Sequence, residues 1–293
     1  MDILSRLCRV FVVAITVAIS VTLAGCQPTP SDASPTPSES SDLDALCSEQ
    51  LVVSCESGTQ SVLVTVSRSA TAEETIDLAR RLHTLAAAGS LQAGATLQGE
   101  SIDAPVLDAE WVAPAPWTFT AYPGDPERID AGLTDILTVA AVPGTLGISV
   151  FDAWPSVTIA DLAQFDDIFL AVKATPLFKA GGTYTLLSLN EHLRLVHVPK
   201  RTTDDAIYEI IDIARTYPDA EVLLEAPTAG PQFPTLYVSR LTPEQVSELD
   251  ARLRDPRLAT ADVDGYALEF VLGSTGVDGT SYTGGTFGNV TAD

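Results

Sequence analysis

The chain has 293 residues, with 16 basic against 39 acidic side chains, a formal charge of -23 and a pI near 4.2. A surface this acidic repels polyanions, which excludes nucleic acid as the default partner. With 46% apolar residues the chain can still bury a core, and its length allows one or two domains of ordinary size.

The first 26 residues carry an address. Arg6 and Arg9 outweigh Asp2, and Val10 to Leu23 is an apolar stretch broken only by Thr16, Ser20 and Thr22. That is too short for a membrane span, which needs about 20 residues. A basic start, a short apolar segment and small residues at its end mark an export signal. Leu23-Ala24-Gly25-Cys26 sharpens the reading, because it resembles the lipobox of bacterial lipoprotein precursors. The resemblance implies that residues 1–25 are removed and that Cys26 becomes the lipidated N-terminus. Two or three acyl chains on that sulfur, at about 0.8 kcal/mol per buried methylene, would hold the protein at a membrane face.

Cleavage would remove two basic residues and one acidic residue, leaving a charge of -24. Such a body is pushed away from anionic headgroups and needs a spacer. Residues 26–46 read as that tether, since residues 27–46 hold four Pro, five Ser and four acids. In polyproline II at ~3.1 Å per residue the stretch would reach roughly 60 Å. Cys8 leaves with the signal and Cys26 takes lipid, so Cys47 and Cys55 remain. In an oxidising compartment they are expected to form a structural disulfide.

The body then alternates strands and helices. Ser61 to Ser67 reads as a strand, and Thr71 to Glu74 has capping-box form before the apolar stripe Ile76, Ala79, Leu82 and Ala86. Strands are predicted at Ala95 to Gln98, Trp117 to Tyr122 and Leu146 to Phe151. Between the last two, a helix opens at Asp125-Pro126 and turns Ile129, Leu133 and Ile136 to one side. Downstream the same order returns: strand Leu193 to Val198, helix Thr203 to Tyr217, strands Ala220 to Glu225 and Thr235 to Ser239, a helix started by Thr242-Pro243-Glu244-Gln245, and strand Tyr266 to Leu272. The helix segments Glu74 to Arg80 and Glu209 to Arg215 are also alike.

This order, βαββαβ twice, resembles the ferredoxin-like or split βαβ arrangement and imports no activity. The expected fold class is therefore α+β. Two ferredoxin-like modules, 47–152 and 193–272, form an internal repeat joined by an α/β unit at 153–192. Within that unit Asp167 to Lys173 fits a helix or a buried strand. Residues 273–293, with six Gly and seven Ser or Thr, read as a flexible tail.

Candidate chemistry is sparse. Only His83, His192 and His197 supply imidazoles, and the spacing of the last two puts them on opposite faces of a continuous strand. Asp262-Val263-Asp264-Gly265 fails the calcium-loop pattern at both ends, and Gly147 to Phe151 lacks the second Gly of a nucleophile elbow. Trp111, Trp117 and Trp154, with Tyr122 and Phe151, could form a carbohydrate platform, but core and rim packing is the preferred reading of them. No catalytic residue, metal or cofactor is assigned.

The expected function is that of an exported, membrane-anchored lipoprotein acting as a non-catalytic envelope binding or assembly module. Its partners would be the membrane, through lipid on Cys26, and an envelope protein or cell-wall ligand. A ligand-binding lipoprotein of an uptake system is the alternative and would show two lobes around a cleft; a carboxylate-based hydrolase comes third. Three Lys against 13 Arg point to a GC-rich genome, hence to the extracytoplasmic face of the membrane of a high-GC Gram-positive bacterium.

Overall fold

The computed structural model describes residues 37–89, 91, 94–101, 115–124, 126–151, 154–180, 184–189, 192–197, 202–225, 234–261, 267–276 and 279–290. Pro37–Asp293 form one compact unit. Its elements run α1 (Pro37–Cys47), β1 (Val52–Ser57), β2 (Val62–Val66), α2 (Ala72–Ala87), β3 (Ala95–Gly99), β4 (Thr118–Ala121), α3 (Glu127–Ala140), β5 (Thr145–Phe151) and β6 (Trp154–Ile159). Then come α4 (Phe165–Ala174), α5 (Pro176–Ala180), β7 (Tyr184–Ser188), β8 (Leu193–His197), α6 (Asp204–Thr216), β9 (Glu221–Glu225), β10 (Thr235–Leu241), α7 (Pro243–Leu253), β11 (Glu269–Gly276) and β12 (Gly279–Thr286).

Local chemistry sets the helix starts. Thr71 and Glu74 form the expected capping box: the Glu74 N–H donates to Thr71 Oγ1 (3.2 Å) and the Thr71 N–H to Glu74 Oε2 (2.8 Å). Thr242 and Gln245 repeat it on α7, with Pro243 at the first helical position, where a missing N–H costs nothing. Helix α3 begins at Glu127 with Pro126 as its cap, and Asp125 lies outside the described residues.

The strands lie in chain order. A four-stranded sheet runs β1-β2-β3-β4, and an eight-stranded sheet runs from β5 to β12 without a strand out of place. Strands joined by a turn pair antiparallel, as in β7/β8, β9/β10 and β11/β12. Strands joined through a helix pair in parallel as direct neighbours: β2/β3 across α2, β6/β7 across α4 and α5, β8/β9 across α6, and β10/β11 across α7. At the junction of the two sheets the Ile148 N–H donates to the Pro116 carbonyl (3.1 Å).

The α+β class is therefore observed, while the ferredoxin-like repeat is not confirmed. A split βαβ unit separates its two helix-linked strands by inserting another between them; here nothing is inserted. The element order is common to both arrangements, and neighbour choice in a sheet is made by long-range packing, which local patterns do not encode.

The helices share one face of the sheets. On β7 to β11 the inward residues are Tyr184, Leu186, Leu193, Leu195, Val222, Leu224, Leu236, Val238, Phe270 and Leu272, all nearly inaccessible and aligned by strand register. Ile207, Ile210, Ile211 and Ala214 of α6 and Leu249 and Leu253 of α7 close over them, each large side chain contributing about 1.5–3 kcal/mol by burial.

Two expectations are corrected and one open alternative is resolved. Residues 37–46 of the supposed tether are helical in α1, because Leu43 and Leu46, three apart, give an otherwise polar segment an apolar anchor on the core. The Cys47–Cys55 disulfide ties that helix to β1. Asp167 to Lys173 lie in α4, whose buried Phe165, Ile168, Phe169 and Val172 follow the helical period. The supposed flexible tail is β-structure: β12 pairs along β11, and Phe287 is buried beyond it. Its glycines serve close approach, since a side chain at Gly285 would meet Arg254 and Phe270 at 2.6 and 2.7 Å. Arg254 stacks over Phe270 and donates to the Gly284 carbonyl (2.8 Å), which pins the strand to α7.

Candidate functional site

Strand alternation sends every second residue to the face without helices. One register row crosses the large sheet from Gly147 through Thr158, Leu187, Arg194, Leu223, Tyr237 and Val271 to Gly284. A second row carries hydroxyls from Ser149 through Ser156 to Thr185, and Thr118 of β4 extends it by reaching Ser149 Oγ (3.4 Å). Further along, Thr65 and Gln98 are hydrogen-bonded (3.1 Å), as are Thr96 and Thr120 (3.1 Å). This face is hydroxyl-rich at the β1 end and more apolar toward β11, where Tyr237 is 39% exposed.

Within it lies an open groove of about 530 Å³ lined by Ser156, Thr185, Leu187, Arg194, Glu221 and Leu223. Arg194 stands out electrostatically. The helix layer uses its cations to tie neighbours together: Arg80 of α2 to Asp130 of α3 (2.7 Å), Lys173 of α4 to Asp204 of α6, Arg215 of α6 to Asp166 of α4 (3.0 Å), and Arg252 of α7 to Glu209 (2.5 Å) and Asp212 (2.6 Å) of α6. Among the described residues Arg194 forms no ion pair, and its planar fork of donors faces outward from an uncharged row. Glu221, at the rim, is already paired with Arg240.

The imidazoles do not converge. His83 meets Gly124 through its ring Nε2, with 3.2 Å to the carbonyl oxygen. His192 and His197 both lie on the helix side, because His192 precedes β8 and does not follow its alternation. His192 sits 2.9 Å from the Ala214 carbonyl at the end of α6, and His197 is 2.9 Å from Thr202 just before its start. Five positions of extended chain, roughly 16 Å, keep them apart.

His197 packs edge-on against Phe169 and Tyr184. Burial pushes its pKa down to about 4; Asp204 opposes the shift and Lys173 adds to it. Burial also raises the Tyr184 pKa, and the hydroxyl has no hydrogen-bond partner among the described residues. A neutral imidazole beside a phenol, closed in by aromatic rings, has no route to substrate and reads as a polar inclusion of the core.

Other expected positions divide as follows. Leu23, Ala24, Gly25 and Cys26, together with Trp111, Asp262 and Asp264, lie outside the described residues. Trp117 is buried against Gly99 and Tyr122 is exposed, so these two share no platform; the side chains of Phe151 and Trp154 are outside the described set. Among the described residues no three His, Cys, Asp or Glu gather as a metal site, and no helix is long and apolar enough to cross a membrane. The Arg194 face has a local sequence signal: in Leu193-Arg194-Leu195-Val196-His197, alternation turns arginine away from the core. No protein-family model, curated protein or solved structure matches the chain.

Proposed function

We propose that the chain is an exported lipoprotein, held through acyl chains on Cys26 at the extracytoplasmic face of the cell membrane of a high-GC Gram-positive bacterium. In this reading it is a non-catalytic envelope binding or assembly module. The observation that carries the binding role is the long sheet face that none of the described helices covers, with the Arg194 groove within it. Leu23-Ala24-Gly25-Cys26 supports the anchor. The uptake reading is less well supported, because it calls for two lobes and residues 37–293 form one compact unit.

The anchor is tested by intact-mass analysis of the membrane-extracted protein. A chain beginning at Cys26 with added acyl mass is expected, Cys26→Ala should abolish it, and an unmodified terminus would refute it. The face is tested by capture from solubilised envelopes on immobilised residues 37–293. Leu223→Glu should lose every specifically captured component, while Glu248→Lys on the helix side should lose none. Equal capture by both variants would refute the assignment of the face.

A further inference from the structure

We propose that the open face of the eight-stranded sheet docks a basic amphipathic helix of a partner protein, laid across the strands from β7 to β11 with its cations over Glu225 and Glu269. This rests on the reading of that face as the binding surface and names the kind of partner it takes.

Charge selects the partner. The charged residues of the face are Arg194 on β8, Glu221 and Glu225 on β9, and Glu269 on β11, with Arg240 of β10 bound to Glu221. Glu225 and Glu269 have no cation partner among the described residues. Thr235 of β10 pairs with both, so the two glutamates stand two strand spacings apart, about 10 Å. In the helix layer Asp130, Asp166, Asp204, Glu209 and Asp212 each hold an arginine or lysine of a neighbouring helix. On the open face the matching cations come from a partner, and a body at -23 draws a basic one toward it from a distance.

Geometry selects the helix. Two residues along the strands from the glutamates runs the row Leu187, Arg194, Leu223, Tyr237 and Val271, which crosses five strands over about 19 Å. Strands lie about 4.8 Å apart and a helix advances about 5.4 Å per turn, so a helix crossing slightly obliquely sets one turn on each strand. Apolar side chains at i, i+7, i+11 and i+14 then rest on Leu187, Leu223, Tyr237 and Val271, and an uncharged one at i+4 meets Arg194. Tyr237, 39% exposed, offers its ring to that apolar stripe. Cations seven residues apart, about 10.5 Å along the helix, match the spacing of Glu225 and Glu269. Arg194 repels such cations and confines them to the β9 to β11 end.

The probe is a fluorescent 18-residue helical peptide with leucines at the i, i+7, i+11 and i+14 spacing, glutamine at i+4 and lysines flanking the stripe. Its anisotropy is read against residues 37–293, which form one compact unit. Saturable binding is expected, and the same peptide with glutamates for lysines should not bind. Glu225→Lys with Glu269→Lys should weaken binding at least ~10-fold. Glu225→Gln with Glu269→Gln removes the same carboxylates more gently and should weaken it in the same direction. Glu244→Lys with Glu248→Lys, on exposed positions of α7, changes the net charge equally and should weaken binding less than ~3-fold. Arg194→Ala should leave binding unchanged or tighten it.

Absence of binding to the wild type would overturn the proposal. Equal losses in the two lysine pairs would overturn it as well, because the peptide would then be answering to overall charge. Binding of the glutamate peptide, or a ~10-fold loss with Arg194→Ala, would do the same. If no peptide binds yet Leu223→Glu still loses captured envelope material, this inference fails and the proposed function stands; if capture is also indifferent to Leu223→Glu, both fail.

Discussion

The two faces of the large sheet are made from the same strands and obey opposite rules. On the helix side, adjacent strands align Leu186, Leu195, Leu224, Leu236 and Phe270 in a buried row. One residue further along each strand, on the other side, the row reads Leu187, Arg194, Leu223, Tyr237 and Val271, with one charge in it and solvent above it. Since one sheet supports both rows, backbone pairing cannot account for the difference. The helix layer accounts for it. Where helices cover the sheet, side chains are selected for packing; where they do not, identity is free to follow recognition.

Neighbours on β8 offer the sharpest way to break this contrast. Leu195→Ala empties a fully buried position and should cost about 3 kcal/mol or more, read from the urea midpoint. Arg194→Ala, one residue away, should change stability by less than ~0.5 kcal/mol. Similar costs for the two would mean that the bare face is structural.

His197 tests the helix side through pH. Its folded-state pKa, about 4, lies below the ordinary value of 6.5, so the unfolded chain takes up the proton first. The contribution is fully present above pH ~6.5 and is lost as pH falls toward 4. The shift corresponds to roughly 3 kcal/mol across that window. Comparing urea midpoints of wild type and His197→Gln at pH 7 and 4.5 isolates it. Asp204, Lys173, Thr202, Tyr184 and Phe169 surround the ring or act on it, and of the two charged groups only Asp204 would welcome the charge. Equal acid sensitivity of the two proteins would show that His197 titrates normally.

A smaller effect is expected at the disulfide. Cys47 and Cys55 close a short loop with a sequence separation of 8, worth ~2 kcal/mol by the loop-entropy argument. Replacing both by Ser should lower the urea midpoint accordingly and expose the amides of α1 to hydrogen exchange before those of the sheet. Unchanged exchange in α1 would mean that Leu43 and Leu46 hold the helix without the bond.

How far the sequence was legible follows the same division. Capping boxes at Thr71 and Thr242, the stripes of α2 and α6, and the alternation of β2 and β8 are local signals, and each element formed where those signals lie. Strand order was not legible, because whether α2 links neighbours or skips a strand depends on contacts between segments distant in sequence. The C-terminal hairpin is hidden in the sequence for a related reason. Glycine-rich composition suggests freedom, whereas Gly285 is small because Arg254 and Phe270 occupy the space a side chain would need. The bare face lay half in view. Alternation sends Arg194, Leu223 and Tyr237 outward, but only the register puts them in one row.

The smallest predicted effect tests the bare face where the two sheets meet. Thr118 Oγ1 donates to the Ile148 carbonyl and reaches Ser149 Oγ, both at 3.4 Å, the long end of hydrogen-bond geometry. Thr118→Val keeps the branched shape, and β-branched residues suit a strand. Water can replace the lost donor on a face that no helix covers, so the cost should not exceed ~0.5 kcal/mol in urea unfolding. The same hydroxyl on the covered side would leave a carbonyl dry and cost about 1–3 kcal/mol. A loss of that larger size at Thr118 would place this stretch of the open face under structural constraint and move the boundary between packing and recognition away from the first sheet.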